Sequence, residues 1–310
     1  MSIPSIATVV GSGIMGPGIA AVLARAGASV RVYDISTEAL ERAAAGLNLA
    51  NTVLDQLGSD SVEGGSVEFL SDLGAALADS QFIVEAVPEK LELKKRVLAE
   101  IEATVAPTAI IATNTSGIPI TTMAEGMLEP GRFIGMHWSN PPHLIPMIEV
   151  IKGEQTRDEI QDELVAIVYA FGYEAVIERE TPGFVENRIL YAIMRECLAL
   201  VDEGIVTQEA LDVCVKWGIG YKLSVVGPMR LLDMAGLDTY ENVSGYLNSE
   251  LDNSQSTSEL ISRLTAEGRL GMKSGGGLFE YGEGEVAAKR AAIVQGLVAA
   301  RKALSSVESV

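Results

Sequence analysis

"SIATVVGSGIMGPGIAAVLARAGASVRVYD", residues 5–34, decides how this chain folds. Ile6 to Val10 is an apolar, β-branched run, as a parallel strand buried on both faces should be. Gly11, Gly13 and Gly16 follow in a G-x-G-x-x-G. "IAAVLARAG" then reads as a helix closed by Gly27, and "SVRVYD" as a second strand ending at Asp34. A glycine-rich loop alone is a weak signal. Here it has its strand, its helix, its second strand and its acid, which together predict a dinucleotide site.

Each part has a task. Gly11 permits the tight turn, Gly13 lets a pyrophosphate approach the backbone, and Gly16 lets the helix pack close to the strand. The helix start offers free N–H groups and the positive end of its dipole to phosphates. Ile14 and Met15, on the same turn, are expected beside the cofactor. Asp34 stands 18 residues beyond Gly16, near the usual spacing for an acid that binds the adenosine ribose. Its carboxylate would repel the 2′-phosphate of NADP, and no arginine follows in "DISTEAL". NAD is the cofactor expected.

The alternation continues. "QFIVEAVPE" (81–89) is a strand entering a loop, which puts Ala86, Val87 and Glu89 at its carboxyl end. "KLELKKRVLAEIEATV" is an amphipathic helix carrying Lys94. "AIIATNTSG" (109–117) is another strand, ending in a polar turn with Asn114 and Ser116. "RFIGMHW" and "MIEVI" are two more. Carboxyl ends of strands are where open α/β sheets bind ligands. "NTSG" is also good turn chemistry anywhere, so for Asn114 and Ser116 the residues alone leave both readings open.

From Thr181 the pattern changes. Thr181 is the expected N-cap, and Pro182 the first residue, of a helix running to Gly204. Helical patterns follow in "TQEALDVCVKW", "GPMRLLDMAGLDTYENVSGYL", "STSELISRLTAEG" and "AAKRAAIVQGLVAARKAL". The fold class expected is α/β: an N-terminal Rossmann domain over 1–183, then an all-helical domain over 184–310. No long linker separates them, so the active site is expected in the cleft between the two.

Composition narrows the partners. Forty-two acidic residues against 23 basic ones give a formal charge of −19. Nucleic acid or an anionic membrane would need a basic face, so neither is expected. The longest apolar runs are too short to span a bilayer, and no secretory leader pattern opens the chain. Cys197 and Cys214 sit in helical patterns, so neither a disulfide framework nor a nucleophilic thiol is expected. A cytoplasmic enzyme acting on a small molecule, without a metal site, fits these features.

The chain has two histidines, both within "HWSNPPHLIPMIEVI" (137–151). His137 ends one extended run, Glu149 lies in the next, and two prolines stiffen the turn between them. Paired as antiparallel neighbours, His137 and Glu149 would face each other. A carboxylate fixes the imidazole tautomer and stabilises the imidazolium, as a general base for alcohol oxidation requires. A buried, hydrogen-bonded strand histidine is the alternative. His143 belongs to the turn and reads as a loop residue.

These segments, with "VEAVPE", "NTSG", "TPGFVENR", "GPMRLLDMAGLDTY" and "GMKSGGGLFEY", resemble the 3-hydroxyacyl-CoA dehydrogenase family over nearly the whole chain. The resemblance implies hydride transfer between a secondary alcohol and NAD, and a homodimer formed through the helical domain. It implies that His137 is the base, Glu149 its partner, and that Ser116 and Asn187 hold the substrate oxygen with Asn140 beside them. It puts Glu89, Lys94 and Asn114 on the cofactor side. Three features depart from the common pattern. "WGIGYKLSVVGP" is longer than its counterpart, and "NTSG" stands for a more usual "NTSS". Between Ile35 and Leu70 the one basic residue is Arg42, against Glu38, Glu41, Asp55, Asp60, Glu63 and Glu68. CoA phosphates are usually met by lysine or arginine, so a small carboxylated substrate is expected instead. The chain is most similar to a branch of the family that oxidises a pyridine carboxylate aldehyde, where the hydrate would present an alcohol to the base. Two rivals stay open: a 3-hydroxyacyl-CoA (3-hydroxybutyryl-CoA) dehydrogenase proper, and a non-catalytic NADH-binding protein of the lens-crystallin kind.

Overall fold

The computed structural model describes residues 3–306. Two compact units divide the chain, the first ending at Arg188 and the second starting at Ile189.

The first unit is built on β1 (Ile6–Val10), α1 (Gly16–Arg25), β2 (Ser29–Tyr33), α2 (Thr37–Leu57), β3 (Ser66–Leu70), α3 (Leu73–Leu77) and β4 (Phe82–Glu85). Then come α4 (Leu91–Thr104), β5 (Ile110–Thr113), α5 (Ile120–Ala124), β6 (Phe133–Trp138), β7 (Met147–Lys152), α6 (Asp158–Ala170) and β8 (Glu174–Arg179). The strands form one sheet in the order β3-β2-β1-β4-β5-β6-β7-β8. All neighbours are parallel except β6 and β7, which are antiparallel. The order reverses between β1 and β4, the switch point where such sheets bind ligands.

Strand alternation sorts the core onto two faces. Val9, Val84, Met136, Trp138, Ile148 and Val150 belong to one cluster, with Ile19 and Leu23 of α1 and Leu164 of α6. Val10, Ile83, Ile111 and Phe133 belong to the other, with Leu98 and Ile101 of α4 and Phe184. His137 lies between Met136 and Trp138, and Glu149 between Ile148 and Val150. Both therefore project from the second face, where Phe184 packs.

Two strands escape the sequence reading, β3 and β8. They are the sheet edges and alternate weakly, with most residues exposed or half-buried. The helix expected from Thr181 starts later: α7 spans Phe184–Asp202. Gly183 has φ +77° and Phe184 φ +53°, so the chain turns left-handed before the helix can begin. Thr181 instead accepts from the Phe184 N–H through its carbonyl and from Arg188 through its hydroxyl.

The second unit carries the rest of α7, α8 (Gln208–Cys214) and a π-helical turn (Val215–Gly220) that runs into α9 (Tyr221–Leu223). That turn and α9 include the start of "WGIGYKLSVVGP". Next are α10 (Pro228–Ala235), α11 (Leu237–Leu247), α12 (Glu259–Ala266) and α13 (Glu285–Ser305). Among its described residues, Leu264 and Val298 are the buried hydrophobics. No described helix is long and apolar enough to cross a membrane.

Candidate active site

The β1–α1 turn is shaped for close approach. Gly11 has φ +113°, and a Cβ there would lie 2.5 Å from the Ala86 carbonyl oxygen. A Cβ on Gly13 would meet nothing within 4 Å, so the backbone stands open where a pyrophosphate would lie. No side chain caps the start of α1, which leaves its first N–H groups for a ligand. Ile14 is exposed, and Met15 occupies the N-cap position.

Asp34 ends β2 beside that turn. Its Oδ2 accepts from the Ser12 N–H at 3.0 Å and the Ser12 hydroxyl at 2.7 Å. Its Oδ1 accepts from the Ser36 N–H at 3.1 Å. Burial pushes the carboxyl up, but these donors outweigh it and hold Asp34 below the usual carboxylate range. Ser12, which the sequence reading passed over, thus anchors Asp34 beside the glycine turn. The open glycine turn, the uncapped helix and the ionised Asp34 fit NAD.

At the next corner, Lys94 is fully buried. Its ammonium donates to both oxygens of Glu85, at 2.8 and 3.0 Å. Glu85 also accepts from the Thr113 hydroxyl and the Val87 N–H. Glu89 lies 3.3 Å from the same ammonium. The Oε1 of Glu89 takes the Thr115 hydroxyl at 2.6 Å and the Ser116 N–H at 2.8 Å. Lys94 is therefore neither solvated nor free to reach a cofactor phosphate. It ties β4, β5 and α4 together, and Glu89 carries that order into the Ser116 loop. Asn114 is buried and accepts from the Trp138 N–H at 2.9 Å, which couples the ends of β5 and β6.

His137 and Glu149 are direct cross-strand partners. His137 Nδ1 and Glu149 Oε2 are 2.6 Å apart, and both residues are buried. The imidazole packs against the Phe184 ring, centroids 5.6 Å apart. The other oxygen of Glu149 accepts from the Val185 N–H at 3.0 Å and the Glu186 N–H at 2.7 Å. These are first-turn donors of α7, so the helix start is capped by this carboxylate from β7. With Nδ1 engaged by Glu149, Nε2 is the second nitrogen of the ring.

Around this pair, Asn187 Nδ2 donates to the Ser116 carbonyl at 3.0 Å. Ser116 is exposed, and no other described residue engages its hydroxyl. Asn140 is exposed and precedes Pro141 through a cis peptide. His143 sits away from the pair, against α1, where a Cβ on Gly18 would come 2.9 Å from its Nδ1.

Two further acids border the pair. Ligand-capable atoms of Glu186, His137 and Glu149 lie within 4.8 Å of one another. Glu186 accepts from the Ser139 hydroxyl at 2.6 Å. Glu178 on β8 shares the Val185 N–H with Glu149, at 3.1 Å. Burial, then the Glu149 charge, pushes Glu178 up to about 7, against the pull of the Val185 N–H and His137. The one sequence signal for these acids was the density of glutamates in "IERETPGFVEN", and it means little until β8 is recognised. In the second unit, burial and then Asp212 and Glu196 raise the Cys197 thiol, away from the thiolate form.

A parallel sheet with an open glycine turn at its switch point, beside a paired His and Glu, is the framework of a nicotinamide-dependent dehydrogenase. Residues 6–181 match the family described as 3-hydroxyacyl-CoA dehydrogenase, NAD binding domain, and residues 183–281 its C-terminal domain. The chain belongs to the 3-hydroxyacyl-CoA dehydrogenase family, whose members are NAD-dependent oxidoreductases, and it is such an enzyme. It is 44% identical over 303 residues to the 5-formyl-3-hydroxy-2-methylpyridine 4-carboxylate 5-dehydrogenase of Mesorhizobium japonicum, covering 97% of this chain and 98% of that one. A crystal structure of a 5-dehydrogenase of that name, described as an NAD+ dependent dismutase, superposes with a TM-score of 0.95 at 43% identity, over 98% of this chain and 99% of the other. A probable 3-hydroxybutyryl-CoA dehydrogenase of Deinococcus radiodurans is 36% identical over 88% of this chain and 99% of its own.

Proposed function

We propose that this enzyme oxidises a small carboxylated alcohol or hydrated aldehyde, such as a pyridine carboxylate aldehyde, with His137 as general base. The observation that carries the reading is the 2.6 Å bond from Nδ1 to Glu149, which leaves Nε2 to take the hydroxyl proton. Glu149 orients the ring and balances the imidazolium. Its own charge is held by the Val185 and Glu186 N–H groups. Ser116 and Asn187 hold the reacting oxygen, and Asn140 borders it. The Asn187–Ser116 bond fixes the spacing of those two.

Gly11, Gly13, Ile14, Met15 and Gly16 would hold the pyrophosphate, Asp34 the adenosine ribose, and Ala86, Val87 and Asn114 the inner cofactor face. Glu89 and Lys94 support that face from behind through the Ser116 loop. NAD, when bound, supplies the hydride acceptor.

The relatives with a pyridine carboxylate substrate support the choice of substrate class, as do the acids of α2 and β3, which leave Arg42 as the one cation between Ile35 and Leu70. The exposed apolar side chains of the second unit, among them Trp217, Met229, Met234 and Tyr246, support a homodimer formed there. The two free cysteines suit a cytoplasmic setting.

Absorbance at the NADH band, read across a substrate panel, tests the reading. Pyridine carboxylate aldehydes should turn over, and acetoacetyl-CoA should not. A low-micromolar KM for acetoacetyl-CoA, with free acids and aldehydes inert, would establish the CoA-ester rival. NADH binding with no turnover of any class would establish the non-catalytic one.

A further inference from the structure

We infer that His137, Glu149 and Glu186 form a binding site for a dication of the zinc kind, and that a metal held there silences the base. The site itself needs no assumption about the reaction; the silencing rests on the reading of His137 as base. Three elements supply the ligands: β6, β7 and the first turn of α7. Ligand-capable atoms of the three side chains lie within 4.8 Å of one another. His137 and Glu149 are buried, and Glu186 is half-buried. The sequence reading expected no metal, because Glu186 joins the pair only once α7 starts on Glu149.

Two further features point to a cation. Glu186 Oε2 is buried with no hydrogen-bond partner among the described residues. Such an oxygen is unfavourable unless something positive meets it. The Ser139 hydroxyl fixes the other oxygen at 2.6 Å, the outer support that a ligating carboxylate needs. The local charge is also unbalanced. Among the described residues no lysine or arginine pairs with Glu149, Glu178 or Glu186, and His137 is the one basic group paired there.

The donor set selects the metal. One imidazole nitrogen and two carboxylate oxygens suit zinc, with the fourth tetrahedral position left to water. Magnesium and calcium prefer all-oxygen shells. Two carboxylates also match the double charge of the ion. Zinc bonds of about 2.0–2.2 Å keep tetrahedral ligand atoms roughly 3.3 Å apart. The 2.6 Å contact between His137 Nδ1 and Glu149 Oε2 therefore opens to admit the ion, and Glu186 swings inward. Glu186 Oε2 breaks no hydrogen bond in doing so. Glu149 binds through Oε2 and keeps Oε1 on the Val185 and Glu186 N–H groups. The consequence for catalysis follows from the ring. A neutral imidazole carries one N–H. With zinc on Nδ1 that hydrogen stands on Nε2, and the lone pair that would take the substrate hydroxyl proton is gone.

The test dialyses zinc chloride against the full chain after treatment with a chelator, and counts bound metal per chain. Turnover is then read once free zinc has been dialysed away. One zinc per chain should bind, turnover should fall in proportion to occupancy, and EDTA should restore it. E186Q should bind zinc about 10²-fold more weakly. S139A keeps all three ligands and loses only the support of Glu186, so it should bind about tenfold more weakly, which covers the case that E186Q fails to fold. A C197S/C214S double variant should bind as wild type does, and magnesium chloride should not displace the zinc. No bound zinc, wild-type binding by both E186Q and S139A, or binding lost with the two thiols would overturn the site. Zinc bound at one per chain, weakened in E186Q, with turnover unchanged would uphold the site and overturn the reading of His137 as base.

Discussion

Two corners of the same sheet each bury a glutamate, and they use it differently. At the β4–α4 corner, Glu85 meets a lysine, a threonine hydroxyl and a backbone N–H, so its oxygens are saturated. At the β6–β7 hairpin, Glu149 meets a histidine and two helix N–H groups. Both carboxylates are fully paired. The difference lies in the partner. Lys94 has no second face to offer, because its ammonium is enclosed between Glu85 and Glu89. His137 has a second nitrogen. A buried pair with a point cation is a structural clamp; a buried pair with an imidazole leaves one lone pair to work with.

Variants at the two corners should separate accordingly. His137→Gln, which keeps an N–H donor for Glu149, should lower turnover by about 10²–10⁴-fold, with the NADH dissociation constant and the melting temperature near wild type. Lys94→Ala should do the reverse. It strands Glu85 in the interior and should cost about 3–5 kcal/mol of folding stability by urea denaturation. The fraction still folded should keep its chemistry. Equal behaviour of the two variants in both assays would erase the distinction. Glu149→Gln should lower turnover by about 10–10²-fold, the worth of a hydrogen bond to a charged group, with substrate KM little changed. The smallest effect expected is at the cofactor end. Asp34→Asn should weaken NAD about tenfold in KM and narrow the preference over NADP, without moving the melting temperature.

The sequence was informative where a period or a fixed spacing carries the signal. Strand, glycine turn, helix, strand and acid over residues 5–34 specify the first Rossmann unit, and the structure places each one there. The His137–Glu149 pairing was also readable, because antiparallel register over a short proline-stiffened turn leaves few alternatives. Edge strands β3 and β8 were not readable, since a sheet edge need not alternate between core and solvent. That loss hid Glu178, whose place beside Glu149 depends on β8 pairing with β7. The start of α7 was misplaced for a local reason. Thr181 and Pro182 make a good helix start by propensity, but left-handed Gly183 and Phe184 move the first turn onto Glu149. Glu149 supplies from another strand the cap that Thr181 was expected to give, and no local pattern records such a cap. Lys94 was expected on the cofactor side of an amphipathic helix; only the fold reveals Glu85 facing it.

The central claim is that Glu149 holds His137 with Nδ1 protonated and Nε2 free. The chain has two histidines, so ¹⁵N-labelled imidazole spectra contain two rings, and His143→Gln leaves one. At a pH where the ring is neutral, the account predicts that His137 is the Nδ1–H tautomer, with its Nδ1 proton shifted far downfield and that shift lost in Glu149→Gln. A neutral His137 carrying its proton on Nε2, unchanged by Glu149→Gln, would contradict it.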